Sequence, residues 1–337
     1  MMDHLFSTYR DYLAKNKHRE PTFRILPVNS TPTYQWVGGI VADGVLYCTT
    51  NGAASMMVMS LSDGMAELTG NFGDMPFKWS GECRIGDGIY LFPRSANRLL
   101  RYNLRTKCFT EFPAPYAYAG EHHYGGVLAG GRIWQPPRST DHLLVWNADG
   151  TCKTLQISDH PVRYCASVCH PDGYVYFLPE NHEPILRLDV ERMHVEAITP
   201  PVSPNVFDAK AAADGCIYGY SGGAGLMRLN PRTGEFSMLF EEIAFRAYGT
   251  KTGANGRLYS IPGWKGTMWE FIPETGDLRE VYTCSSDAKV HFAGGAVDMY
   301  GNIYAVPVFE DHVLAVEFGT GESVSPELYA AFFDDCY

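Results

Sequence analysis

Residues 86–103 read Gly86-Asp87-Gly88-Ile89-Tyr90-Leu91-Phe92-Pro93-Arg94-Ser95-Ala96-Asn97-Arg98-Leu99-Leu100-Arg101-Tyr102-Asn103, and they contain the unit from which the chain is built. The Asp-Gly pair supplies the positive φ angles that a tight two-residue hairpin requires, so one short strand enters the turn and a second leaves it. Pro93 ends that second strand, and the alternating run 98–103 reads as a third. The same unit recurs as Asp43-Gly44 with Tyr47, Gly130-Gly131 with Trp134 and Asp172-Gly173 with Tyr176. Three more copies follow, Asp214-Gly215 with Tyr218, Asn255-Gly256 with Tyr259, and Gly301-Asn302 with Tyr304. Successive aromatics stand 41 to 45 residues apart. A further turn, such as Arg232-Thr233-Gly234, leads into a weaker fourth strand over 235–240. Seven copies of a four-stranded antiparallel unit predict an all-β, seven-bladed β-propeller.

The first strand of most copies is made of small residues, as in Gly38-Gly39, Gly125-Gly126, Ala211-Ala212-Ala213 and Gly294-Gly295. Innermost strands converge on the propeller axis, where only small side chains fit. The last copy has poor material for an outer strand, because residues 322–326 are polar and broken by Pro326, whereas residues 22–28 form a strand with no blade of their own. We therefore expect residues 22–28 to complete the seventh blade and close the ring. Leu5, Phe6, Tyr9, Tyr12 and Leu13 recur at helical spacing and predict a short helix packed on the outside of the ring. The expected division is a helix and linker over 1–20 and one propeller domain over 21–337.

With 27 basic and 38 acidic residues the net charge is −11, which argues against a nucleic-acid partner. No run approaches 18 uninterrupted apolar residues, and the N-terminus lacks the basic start and apolar core of a secretory signal, so the expectation is a cytoplasmic protein without a membrane partner. The nine cysteines contain no CxxC pair and suit buried thiols better than a disulfide framework.

Repeat phase selects the functional candidates. In a propeller the loops joining the second strand to the third, and each blade to the next, share one face with the channel mouth. About ten to thirteen residues before each second-strand aromatic stands another ring: Trp36, Trp79, Tyr124, Tyr164, Phe207, Tyr248 or Phe292. Their neighbours include Lys78, His122, His123, Arg163, Asp208 and His291, and slightly further on come Glu82, Lys210 and Lys251. Arg94 and Arg138 follow prolines at matching places in two loops. This phase carries more cations than anions, which points to a small anionic molecule or an acidic oligosaccharide as ligand. His123 and His291 are the candidate proton-transfer groups, with Tyr124 and Tyr164 as helpers. A divalent metal is the cofactor these residue types admit, with His122 as its candidate ligand beside residues of other blades.

The run from Gly86-Asp87-Gly88-Ile89-Tyr90 through Leu99-Leu100-Arg101-Tyr102-Asn103 to Phe109-Thr110-Glu111-Phe112-Pro113 resembles the repeat of the streptogramin (virginiamycin B) lyase-like propellers, and more distantly the gluconolactonase-like propellers. The resemblance extends over roughly residues 34–320. Where the lyase-like repeat carries tryptophan-phenylalanine-threonine-glutamate on its second strand, this chain ends in proline, as in Tyr90-Leu91-Phe92-Pro93. What the resemblance implies is a lyase-like enzyme with His291 where that family places a catalytic histidine. Two readings stand: a lyase or hydrolase acting on a sugar acid, uronate or lactone at the channel mouth, and a non-catalytic propeller that binds a protein, peptide or carbohydrate.

Overall fold

The computed structural model describes residues 2–28, 35–116, 120–319 and 321–333. The repeats form seven separate four-stranded antiparallel sheets whose innermost strands touch in sequence around a closed ring, the last against the first. Blade 1 comprises Trp36–Ala42, Val45–Thr50, Met56–Ser60 and Ala66–Thr69, and blade 2 comprises Trp79–Ile85, Gly88–Pro93, Arg98–Asn103 and Phe109–Pro113. Blades 3 to 6 start at Val127–Ala129, Tyr164–Cys169, Lys210–Ala211 and Thr250–Thr252. We letter the strands of each blade a to d from the axis outward.

Blade 7 is made from both ends of the chain. Phe292–Val297, Ile303–Pro307 and His312–Glu317 are its strands a to c, and Thr22–Pro27 adds the outer strand. The pairing runs from Thr22 opposite Glu317 to Pro27 opposite His312, with the Arg24 guanidinium 2.6 Å from the Glu317 carboxylate. Residues 22–27 thus close the ring as the repeat count requires.

The turn signature has a side-chain reason. Tyr176, Tyr218 and Tyr304 donate their hydroxyls to the turn carboxylates of Asp172, Asp214 and Asp298 at 2.7, 2.8 and 3.0 Å. Each turn is thereby tied to the strand it starts. The expected two-residue hairpin occurs at Asp43-Gly44 and Gly130-Gly131, where both residues have positive φ. Blades 4 to 7 instead use a longer turn in which only the closing glycine, such as Gly173 at +90°, is left-handed. The residue before that glycine, Asp or Asn in blades 4 to 6 and Tyr300 in blade 7, then keeps an ordinary φ, which a type I turn followed by a glycine bulge accommodates.

The N-terminal helix, Met2–Asn16, does not lie on the outer wall of the ring. It crosses the face that carries the a–b turns, with Phe6 beside Gly215 and Leu13 against Gly256. Between helix and ring lies the C-terminal segment, Pro326–Leu328 continuing as a π-helical turn Tyr329–Phe333. Tyr9 stacks on Phe332 at 4.0 Å, and Phe6, Tyr9, Tyr12 and Leu13 share one buried cluster with Leu328, Phe332 and Phe333. Full burial of each such side chain is worth about 2 kcal/mol, so the apolar tail, rather than the ring wall, decides where the helix docks. Arg19 fixes the linker by donating to the Phe318 and Gly319 carbonyls at 2.8 and 2.6 Å. No helix among the described residues is long and apolar enough to cross a membrane. The cysteines described are all free, and Cys48, Cys83, Cys165, Cys169 and Cys216 are buried.

Candidate active site at the channel mouth

Strands a meet so closely at the axis that a side chain is excluded where two blades touch. A Cβ on Gly294 would lie 2.9 Å from the Gly38 backbone, and both glycines have positive φ. The channel left between the strands is a narrow cavity of about 120 Å³, and Tyr329 and Phe333 line it as well.

Its charges are paired internally. Asp208 accepts from Lys251 at 2.7 Å and lies 3.6 Å from Lys210. Burial works against this carboxylate, but the two lysines outweigh it and hold its pKa below the ordinary value. Glu82 also lines the channel, where it accepts from the Thr49 hydroxyl. Lys78 faces elsewhere. It is buried, and its ammonium donates to the backbone carbonyls of Gly52, Gly73 and Met75 at 3.2, 3.0 and 2.9 Å, tying down the connection between blades 1 and 2.

The rim carries a ladder of ion pairs between neighbouring blades. Arg94 and Arg138 both bind Glu121, at 3.1 and 2.9 Å, and Arg138 and Arg163 both bind Glu180, at 2.9 and 3.3 Å. Tyr124 lies between the first two guanidinium groups, 4.9 Å from Arg94 and 5.1 Å from Arg138. Burial opposes ionisation of Glu121, yet Arg94 and Arg138 keep it well ionised. Three arginines therefore share two carboxylates, and Arg163, with half its side chain exposed, is the most accessible of them. From Tyr124 an arc of rings runs along the mouth: Phe207 at 6.3 Å, Tyr248 5.0 Å further, and Trp264 another 6.4 Å on. Trp264 is 44% exposed, and its indole donates to the Tyr248 hydroxyl.

The other rings chosen by phase are packing residues. Trp36 donates to the Ser55 carbonyl, Trp79 to the Arg98 carbonyl and Tyr164 to the Pro184 carbonyl, at 2.9, 3.0 and 2.9 Å, and all three are buried.

The two candidate histidines are not brought together. His123 belongs to blade 3, where its Nε2 meets the His142 carbonyl at 3.2 Å and its ring lies parallel to Tyr116. Burial, then the neighbouring His142, lowers its pKa from 6.5 to about 3. It is neutral throughout the physiological range. His122 packs against Tyr116 at 4.5 Å and, among the described residues, joins no cluster of three metal-ligating side chains. His291 stands at blade 7, three blades away by the shorter way around the ring. Its Nδ1 lies 2.5 Å from Glu310 Oε1, and the Ser286 hydroxyl donates to the same carboxylate. The loop carrying Trp264 covers this pair: His291 N donates to the Gly263 carbonyl at 3.0 Å, and a Cβ on Gly266 would lie 2.8 Å from His291 Nε2. Cys284 borders the same spot, and burial, with Glu310 adding to it, pushes its thiol up to about 12.

Repeat phase located Tyr124, Phe207 and Tyr248 on the mouth but did not identify Glu310 or Cys284 as companions of His291. Glu310 lies nineteen residues beyond it in another loop. An isolated acid in a variable loop carries no signal of its partner.

No protein-family model matches the chain, and no curated protein matches it by sequence. Among solved structures it superposes on streptogramin B lyase with a TM-score of 0.76 at 15% identity, covering 89% of this chain and 98% of that one. A catalytically inactive histidine-to-alanine variant of virginiamycin B lyase from Staphylococcus aureus, solved with quinupristin, also gives 0.76 at 15% identity, over 88% and 99% of the two chains. An extracellular domain assigned to a one component system of B. thetaiotaomicron gives 0.64 at 13% identity, over 89% of this chain and 40% of that one. The likeness establishes the seven-bladed, lyase-like propeller fold.

Proposed function

We propose that this chain is an enzyme of lyase or hydrolase type that takes an anionic substrate, a sugar acid, uronate or lactone, on the face bearing the channel mouth. The observation that carries the reading is the continuity of that face. An aromatic arc leads from the arginines around Glu121 and Glu180 to the loop that covers His291. Rings of this kind stack on the apolar faces of sugars, while guanidinium groups exchange an internal carboxylate for one brought by a ligand. An oligomeric substrate fits the length of the arc better than a single sugar.

The chemistry is assigned to His291 with Glu310. A carboxylate on Nδ1 fixes the imidazole's tautomer and leaves Nε2 as the reacting nitrogen. The side chain of His291 is only 5% exposed, so the loop over Gly266 must shift for substrate to reach it. That burial favours a second reading, in which the arc alone binds a carbohydrate, peptide or protein and no reaction follows.

A thermal-shift screen with uronates, aldonates, lactones and neutral sugars, followed by turnover of whichever class binds, separates the two. On the enzymatic reading Trp264→Ala loses the shift while keeping stability within about 0.5 kcal/mol. His291→Ala keeps the shift and loses turnover. Binding without turnover in the wild type would leave only the second reading.

A further inference from the structure

We propose that Cys284, His291 and Glu310 form a binding site for a thiophilic divalent cation, zinc above all. A ligand atom from each of the three lies within 4.8 Å of the others. They come from two loops: Cys284 and His291 open and close the connection between strand d of blade 6, Asp277–Thr283, and blade 7, and Glu310 lies in the b–c loop of blade 7. Convergence of sulfur, nitrogen and oxygen donors from two loops is the composition of a three-ligand zinc site with one position left for water or substrate. Tetrahedral ligands stand about 3.3–3.8 Å apart, so a cation would draw the wider-spaced ligand atoms together by roughly 1 Å, and the Glu310 carboxylate, 2.5 Å from His291 Nδ1, would turn from that nitrogen to the cation. The thiolate selects zinc or cobalt over magnesium and calcium.

The surroundings keep the place open and oriented. Cys284 N donates to the Gly266 carbonyl at 2.8 Å, and His291 O accepts from Val308 N at 2.9 Å, so both ligands are anchored through their backbones. Gly266 has φ +67°, and a Cβ there would lie 2.8 Å from both His291 Nε2 and Cys284 Cβ. Glycine therefore preserves the space between the nitrogen and the sulfur. The second oxygen of Glu310 lies 3.8 Å from His312 Nδ1, which is itself 2.9 Å from Asp311. His312 Nε2 is buried without a hydrogen-bond partner. Such outer partners orient a ligating carboxylate. The inference rests on the proposed function for the site's purpose and alters one assignment in it: with His291 Nε2 on the cation, water at the cation's open position would take the proton-transfer role at the reacting corner.

The test uses the full-length protein, stripped with chelator and titrated with Co²⁺. The expected result is one equivalent bound, with the near-ultraviolet charge-transfer band of a thiolate–cobalt bond, displaced by Zn²⁺. Cys284→Ser should abolish the band, whereas Cys108→Ser, at an exposed cysteine, should leave it. His291→Ala should weaken Zn²⁺ binding at least about tenfold. Thermal melts show that each variant remains folded. Failure of the wild type to bind Co²⁺, or a band that survives in folded Cys284→Ser, overturns the site. If no cation binds but turnover still depends on His291, the metal site alone fails; if a cation binds and no substrate turns over, the enzymatic reading alone fails.

Discussion

His123 offers a direct measurement of what burial does to a group that its sequence position places near the mouth. Its pKa falls from 6.5 to about 3 on folding, chiefly through loss of solvation. The unfolded chain takes up this proton as pH drops through 6.5, whereas the folded protein does not until near 3. Stability present above pH 6.5 is therefore lost progressively across that window. At pH 4.5 the unfolded state has gained the free energy of two pH units of protonation, about 3 kcal/mol at 1.36 kcal/mol per unit. His123→Gln keeps an amide donor for the His142 carbonyl and removes the titration. Urea unfolding of both proteins at pH 7.5 and pH 4.5 isolates the effect, because other titrating groups are common to the two. The wild type should lose about 3 kcal/mol more than the variant between those pH values. Parallel losses would refute the reasoning and return His123 to the candidates for proton transfer near neutral pH.

Other outcomes follow from the same structure. Lys78→Met removes the buried ammonium that ties three backbone carbonyls together and should cost about 1.5–3 kcal/mol in urea unfolding while leaving ligand shifts unchanged. Glu270 is fully buried between Arg257 and Arg279 and accepts from the Tyr259 hydroxyl at 2.5 Å; Glu270→Gln should destabilise by about 3 kcal/mol, measured in the same way. Deletion of residues 2–28 should abolish cooperative thermal unfolding, and a synthetic peptide of residues 20–28 added in trans should restore part of it by pairing with the open edge of blade 7.

The parts of the fold legible in the sequence were those with local causes. Asp172 and Tyr176 are four residues apart and bond to each other, so turn and strand appear together wherever that pair recurs. The closing strand was legible by elimination, since six blades had four strands and the seventh lacked one. The helix was read correctly as amphipathic but assigned to the wrong surface, because its docking site depends on Phe332 and Phe333 at the far end of the chain. Charge was harder still. Repeat phase gives a residue's height in the ring and not its partner, so Lys78 and Arg163, each standing just before a ring of the same phase, looked equivalent although one meets carbonyls and the other Glu180. The excess of cations inferred from phase is largely neutralised by Glu121, Glu180 and Asp208, of which Glu180 holds in blade 4 the place that Arg94 and Arg138 hold in blades 2 and 3.

The strand over residues 22–27 leaves the ribosome before every other described strand of the ring, and its partner, residues 312–317, is made after all of them. Closing a loop of nearly 300 residues in a disordered chain would cost about 5 kcal/mol in entropy alone. Blades that form in order during synthesis remove most of that cost, because each one turns the growing chain further around the axis and carries the seventh back to the start. The early strand must meanwhile wait with its backbone groups unpaired while some three hundred residues are added. A nascent chain stalled after blade 6 is then an open arc with two free edges, and association between such arcs is the failure to look for when this protein is expressed slowly.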